Sequence, residues 1–443
     1  MLIRDGSSKA APGLTGLFSW MTADRLFPVF FVLLILKVVP GQYGNRIMGG
    51  VVWALVAGLL AWRLRQRWGP VHEWESRGVA WLTEHRVEAF CGALLIGGIF
   101  ISSLMNFDWE RHHWPLSPVL TISALACYSF AFLSYGLFRS IRGGFGYGWV
   151  LILMLIINII PLWQWLDYGS IRPILRYTAD ADYFHRLDIS SVFQVRTTYG
   201  PFAAIVAVYF WGRVFFVKGH GWYSYGEGLA ALSASVGALL CGSRTALVSL
   251  FLGLFALFCY VPRGKKAWFA GVAILLVISL HGFALWNPFL RGKVGRVLPY
   301  VAKIRQYEQW GWRDFIPKIP SDLTLAKKGG RGQLLKSGLE SWLQSPLFGI
   351  GLGQYKFVTG KHWNVHNLFL SILCEGGLFV FVGWLYLAGR FVWQWRHSYL
   401  MAVVVTIFVI SCFENLFDHS LPWVLTCSWI FARNRETTVI GRL

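Results

Sequence analysis

The chain has 443 residues, of which 56% are hydrophobic and only 14% are charged, and its formal net charge is +20. Because soluble globular proteins carry charge on about a quarter of their residues, this composition excludes an ordinary soluble domain and indicates an all-α polytopic membrane protein. The basic residues are scattered between apolar runs and do not gather on one soluble domain. This distribution argues against nucleic acid as a partner and favours membrane topology and anionic membrane lipid.

Apolar runs long enough to cross about 30 Å of hydrocarbon predict about twelve transmembrane helices. In chain order the runs cover residues 26–40, 47–63, 87–104, 118–138, 148–166, 201–217, 227–243, 245–262, 268–286, 367–389, 400–417 and 420–433. With the N-terminus in the cytoplasm, the short loops on the opposite side hold only Arg46, Arg111 and Arg244. Since cytoplasmic loops carry the excess of Lys and Arg, we expect both termini to be cytoplasmic.

This topology divides the chain into three parts. Residues 1–286 hold nine helices and an outer loop at 167–200, residues 287–365 form a large outer loop between helices nine and ten, and residues 366–443 hold the last three helices. The large loop is strongly basic, with Arg291, Lys293, Arg296, Lys303, Arg305, Arg313, Lys318, Lys327, Lys328, Arg331, Lys336, Lys356 and Lys361. An anionic ligand is the simplest reason for this charge, and docking on lipid phosphates is the alternative.

A helical apolar repeat lies within the large loop. Its members are Leu334, Leu335, Leu339, Trp342 and Leu343. The spacing predicts an amphipathic helix on the membrane face or across the mouth of the bundle. Pro346 ends this helix, and the glycines of residues 349–353 predict a tight turn. A nucleotide-binding loop is disfavoured because no strand precedes these glycines.

His366 and Asn367 stand where the large loop ends and an apolar run begins, and Glu375 lies inside that run. Histidine side chains titrate close to neutral pH and serve as general bases. Asn367 suits a helix N-cap or an orienting residue, and an ionisable residue inside a membrane segment indicates a functional site. We interpret His366 as a catalytic base. A histidine that caps a helix or binds lipid headgroups is the alternative.

Three arginines are candidates for binding an anion. Arg244 lies between two tightly joined apolar runs, where a charge is costly unless it meets an anion or a cavity; snorkelling to headgroups is the alternative. Arg331 begins the amphipathic helix and Arg196 precedes Gly200, and either is otherwise a solvated loop charge. Arginines from several elements bind phosphate through bidentate contacts, which suits a diphosphate leaving group.

The remaining histidines and acidic residues predict no metal site. His112 and His113 are adjacent, which suits a single ion poorly. Glu414, Asp418 and His419 cluster at the outer end of the last two runs. They either line the same cavity as the arginines or form a polar turn between helices.

Taken in order, these motifs resemble the bacterial O-antigen ligase and O-antigen polymerase superfamily over roughly residues 240–380. The matching stretches are Ser243–Ala246, Arg331 through Trp342 to Ser345–Gly351, His366–Asn367 and Glu375–Gly377. In the ligases a His-Asn pair followed by nine residues and a glycine is usual, as it is at His366, Asn367 and Gly377. Val380 departs from the small or aromatic residue that is expected there.

The resemblance implies a GT-C-like protein of the bacterial inner membrane with its active site at the periplasmic face. It would transfer a glycan from undecaprenyl diphosphate without a metal or another cofactor. Arg244 and Arg331 would hold the diphosphate, and His366 would activate the acceptor hydroxyl for an inverting attack. Asn367 or Glu375 would orient the imidazole.

The leading hypothesis is an O-antigen ligase that joins a lipid-linked O-polysaccharide to lipid A-core oligosaccharide. The runner-up is a polymerase of the same superfamily, in which two outer loops often carry functional arginines. The outer loop at 167–200, which ends in Arg196 and Gly200, would suit such a polymerase. A protein O-oligosaccharyltransferase is the third candidate. A transporter of lipid-linked sugar is the alternative of a different class, and it would need no catalytic base.

Overall fold

The computed structural model describes most of the apolar runs and the segment before His366. The described residues are 23–35, 44–68, 86–105, 117–140, 147–167, 170–171, 189–191, 193, 196–217, 221–286, 331–360, 364–414 and 421–434. Most of both predicted outer loops therefore lies outside the described residues. The same is true of His112, His113, Asp418 and His419.

The described part of the chain is mostly helical and contains no strand. Its α-helices are α1 (Ala23–Ile35), α2 (Gly44–Trp68), α3 (Arg86–Met105), α4 (Ser117–Ser140), α5 (Tyr147–Leu166), α6 (Arg196–Phe216), α7 (Trp222–Leu240), α8 (Arg244–Tyr260), α9 (Lys266–Trp286), α10 (Arg331–Gln344), α11 (Tyr355–Thr359), α12 (Leu368–Trp395), α13 (Leu400–Phe413) and α14 (Leu421–Arg433). Each apolar run predicted from the sequence overlaps one of these helices.

Three helices are long and apolar enough to cross a membrane, judged by length and composition among the described residues. They are α5, the segment Thr197–Phe216 of α6, and α12. Shorter apolar helices occur at Arg25–Leu34, in α8 and in α13. The described part of the chain is thus consistent with an all-α membrane protein. The total of about twelve crossings remains a prediction from the apolar runs.

Helix α6 lies at the centre of the bundle and packs against α7, α8 and α13. Because lipid tails are as apolar as the side chains, helices in a membrane associate through close packing, which small residues at the interface permit. Gly212 shows this, since a Cβ there would lie 2.4 Å from Cδ2 of Tyr399. The rings of Phe216 and Tyr399 stack nearby with centroids 5.3 Å apart.

A buried ionic cluster fixes one end of the bundle. Arg213 Nε lies 2.6 Å from Glu227 Oε1, and the hydroxyl of Tyr147 donates to the same oxygen. The guanidinium of Arg433 lies 4.2 Å from the Tyr147 ring centroid. Buried charges are costly unless they are paired, so the cluster joins the ends of α5, α6, α7 and α14. The start of α6, the end of α7 and the start of α8 consequently lie at the opposite end.

Helix α12 is broken at Gly377, whose φ is 72° and ψ is −174°. Only residues 396–399 join α12 to α13, and Asn367 also contacts the last turn of α13. A straight α12 of 28 residues would be about 42 Å long, twice the length of α13. The break at Gly377 lets the longer α12 start beside the last turn of α13 and end beside the first turn of α13. Only glycine fits here, because a Cβ would lie 2.3 Å from the carbonyl oxygen of Leu347.

The amphipathic helix predicted from the sequence is confirmed as α10. Leu334 and Gly338 are buried, and a Cβ at Gly338 would lie 3.0 Å from Val365 Cγ2 and 3.1 Å from a methyl carbon of Leu370. Helix α10 therefore lies across the residues that lead into α12. Its opposite face exposes Leu335, Leu339 and Leu343.

Candidate active site

His366 contacts a carboxylate from another helix. Its Nδ1 lies 3.0 Å from Oε2 of Glu414, with 31% of the His366 side chain and 10% of the Glu414 side chain exposed. His366 immediately precedes the N-cap of α12, and Glu414 is the residue that ends α13. A carboxylate at Nδ1 favours the tautomer that carries its proton there. Nε2 is then the nitrogen that can accept a proton from a substrate.

The second oxygen of Glu414 faces the start of α8. Thr245, the second residue of this helix, has its hydroxyl 3.4 Å from Glu414 Oε1, to which it donates. The Ser243 hydroxyl caps the same helix by accepting from the backbone N–H of Ala246. Because the N-terminus of a helix carries partial positive charge, it stabilises a carboxylate at this position.

Asn367 fixes His366 beside Glu414 through the backbone. Its Oδ1 accepts a hydrogen bond from the Leu370 N–H at 2.9 Å, which confirms the N-cap predicted from the sequence. Its Nδ2 donates to the carbonyl oxygen of Cys412 at 3.0 Å. One amide thus joins the start of α12 to the end of α13.

The structure brings the start of α6 against the start of α8. A Cβ at Gly200 would lie 2.6 Å from Cys241 Sγ and 2.8 Å from Ala246 Cβ. Arg196 begins α6 about one turn before Gly200, and the exposed Arg244 begins α8. The two helix starts that carry predicted anion-binding arginines therefore lie at the same end of the bundle as His366.

Arg331 begins α10, which packs beside the residue before His366. The Leu334 carbonyl accepts a hydrogen bond from the Tyr355 hydroxyl at 3.0 Å, and Leu334 and Val365 belong to one buried cluster. Burial raises the pKa of the Tyr355 phenol, which further favours the protonated form that donates this hydrogen bond. The N-terminal half of α10 is thus held beside Val365, the residue before the candidate base.

Glu375 was a predicted orienting residue for the His366 imidazole, but its carboxylate binds backbone N–H groups of the glycine-rich segment before α11. Its Oε2 accepts from the Gly353 N–H at 3.0 Å, and its Oε1 accepts from the Tyr355 N–H at 3.4 Å. The carboxylate that contacts the imidazole is that of Glu414. The sequence analysis left Glu414 either lining the same cavity as the arginines or forming a polar turn, because hydropathy does not show which helix ends meet.

The arrangement combines a carboxylate-supported imidazole with arginines at the starts of neighbouring helices. Such a pair can remove a proton from a hydroxyl group. Cationic side chains can stabilise a departing anion. Among the residues that the structure describes, no group of three or more His, Cys, Asp or Glu side chains gathers in a way that suits a metal ion.

The described residues form a helical bundle with three helices apolar and long enough to cross a membrane, and a histidine–carboxylate pair lies at one end of this bundle. Residues 229–385 match the family model described as O-Antigen ligase. This match supports membership of the O-antigen ligase and polymerase superfamily, which the motifs had predicted. The matched range includes Arg244, Arg331 and His366, whereas Glu414 lies beyond its end. No curated protein matches the chain significantly.

Proposed function

We propose that the protein is an O-antigen ligase of the bacterial inner membrane. It transfers O-polysaccharide from undecaprenyl diphosphate to lipid A-core oligosaccharide at the periplasmic face. The family match supports the class of enzyme. The single observation that carries the proposed chemistry is the 3.0 Å contact between His366 and Glu414 beside the start of α8.

In this proposal His366 is the general base. Nε2 takes the proton of the acceptor hydroxyl while its oxygen attacks the anomeric carbon of the donor glycan. The bond from that carbon to the diphosphate breaks, and the diphosphate leaves with the bonding electrons. Glu414 accepts the hydrogen bond of Nδ1–H and stabilises the imidazolium that forms, as a buried carboxylate does in other histidine-based sites. A single displacement of this kind inverts the anomeric centre.

The arginines hold the leaving group. Arg244 and Arg331 bind the diphosphate through charge-assisted, bidentate hydrogen bonds, with Arg196 as a third candidate. Their charge stabilises the negative charge that develops on the departing oxygen. The support for this assignment is that all three residues begin helices at the His366 end of the bundle.

A polymerase of the same superfamily is the second candidate. The observation that favours it is the tight contact of Gly200 with the turn before α8, which places the start of the Arg196 helix beside that of Arg244. In a polymerase the acceptor is a second lipid-linked glycan, and two arginine-bearing segments would then face two diphosphates. The chemistry of His366 is the same in both candidates.

The experiment that tests the proposal compares lipopolysaccharide on gels from cells lacking this gene. The deletion strain is complemented with the wild type, with His366→Ala, and with the matched control His397→Ala. His397 is exposed and lies between α12 and α13, at the other end of the bundle.

For a ligase we expect bare lipid A-core in the deletion strain and a full ladder with the wild type and His397→Ala only. Core carrying a single repeat in the deletion strain would instead identify a polymerase. An unchanged pattern would contradict both candidates, and protein glycosylation or transport of lipid-linked sugar would then be the remaining hypotheses. Full function of His366→Ala would reject the catalytic base and favour a transporter.

A further inference from the structure

A glycine-rich turn, residues Gly349–Gly353, fills the break in α12. Gly349, Gly351 and Gly353 have φ of 68°, 95° and 76°, a conformation that other residues rarely adopt. The Ile350 N–H donates to the Cys374 carbonyl at 2.8 Å, and the Gly351 N–H donates to the Glu375 carbonyl at 3.0 Å. The turn thereby satisfies backbone oxygens of α12 next to the break.

The turn binds the carboxylate of Glu375, an anionic side chain of the same protein. Backbone N–H groups of such turns form concave sites for anions, and here the N–H groups of Gly353 and Tyr355 point to the two oxygens of the Glu375 carboxylate. Glu375 is 6% exposed. A carboxylate this deeply buried is costly unless it is hydrogen-bonded, so the turn and the carboxylate depend on each other.

The same turn connects the two short helices that lie beside His366. Tyr355, whose N–H binds Glu375, donates its hydroxyl hydrogen to the Leu334 carbonyl in the first turn of α10. A buried cluster of Leu334, Ile350, Tyr355, Val365 and Cys374 surrounds this contact. An opened turn would therefore loosen α10 from the residue that precedes His366.

We propose that Glu375 is a positioning residue that closes the glycine turn onto α12 and so holds α10, with Arg331 at its start, beside His366. It acts on the donor diphosphate through Arg331 and does not contact the reacting atoms. This inference rests on the proposed function for its kinetic consequence. The closure of the turn itself is independent of that function.

The first test measures hydrogen–deuterium exchange in the purified full-length protein. In Glu375→Gln the side chain keeps one acceptor oxygen, so one of the two N–H groups loses its partner. We expect backbone amides of residues 349–358 to exchange about tenfold faster or more, and amides of α8 to stay as in the wild type. Glu340→Gln, at an exposed site on α10, is the matched control and should leave both segments unchanged.

The second test measures transfer from a lipid-diphosphate oligosaccharide donor. We expect Glu375→Gln to raise the KM for this donor about tenfold and to lower kcat much less than His366→Ala does, because Arg331 both binds the donor diphosphate and stabilises its developing charge. In an Arg331→Ala background Glu375→Gln should raise KM no further, because both changes remove the same interaction. Glu375→Asp keeps the charge on a shorter side chain, and its KM for the donor should lie between the KM of the wild type and that of Glu375→Gln.

Unchanged exchange in Glu375→Gln would overturn the closure of the turn. Faster exchange with an unchanged donor KM, or additive effects with Arg331→Ala, would overturn the positioning role. If the wild type transfers no glycan, the proposed function fails, while the exchange comparison still decides whether Glu375 closes the turn.

Discussion

The imidazole Nδ1 of His366 lies 3.0 Å from Oε2 of Glu414, a residue 48 positions further along the chain. The contact connects the segment before α12 with the end of α13. Asn367 strengthens the same junction by donating to the Cys412 carbonyl. In the proposed reaction this junction sets both the tautomer and the direction of the catalytic imidazole.

Replacing Glu414 with Gln should lower kcat about 100-fold, within the contribution of general-base catalysis. The amide keeps the shape of the side chain but loses the charge that stabilises the imidazolium. The measurement is steady-state transfer by purified protein, with Glu340→Gln as the control. A kcat equal to that of the wild type would reject the role of Glu414.

Thr245→Val should lower kcat about threefold to tenfold, because it removes one hydrogen bond to the same carboxylate. The effect should be smaller than that of Glu414→Gln, since the carboxylate keeps its charge and its contact with His366. Thr426→Val is the matched control, because the buried Thr426 hydroxyl donates only to the Pro422 carbonyl on its own helix. Equal losses in both variants would indicate a general packing effect.

Arg244→Lys should lose most of the activity even though the charge is kept. A lysine ammonium cannot form the planar, bidentate contact that a guanidinium makes with phosphate oxygens. We expect a raised KM for the donor together with a reduced kcat, and Arg263→Lys, at an exposed site after α8, should behave as the wild type. Full activity of Arg244→Lys would reject bidentate diphosphate binding.

Gly200→Ala should destabilise the protein by about 1–3 kcal/mol, the usual cost of overpacking. The added methyl group would lie 2.6 Å from Cys241 Sγ and 2.8 Å from Ala246 Cβ, so α6 must shift away from the start of α8. The measurement is the thermal unfolding midpoint together with transfer activity. Gly228→Ala in α7 has no atom within 4 Å of its new methyl group and should not lower the midpoint.

Much of the helical architecture was predictable because it depends on local properties of the chain. Each predicted apolar run overlaps a helix, since hydropathy and length are set within about twenty residues. The amphipathic repeat predicted α10, and Asn367 before an apolar run predicted the N-cap of α12. A cap is decided by a side chain and the N–H groups two or three residues later.

The pairing of distant polar groups was decided only by the tertiary structure. The sequence offered Glu375 and Asn367 as partners of His366 because they are near in the chain, whereas Glu414 contacts the imidazole and Glu375 binds the turn before α11. Which of several carboxylates meets an imidazole depends on which helix ends come together. Local hydropathy does not contain that information, because it is fixed by close packing such as that at Gly200 and by the break at Gly377.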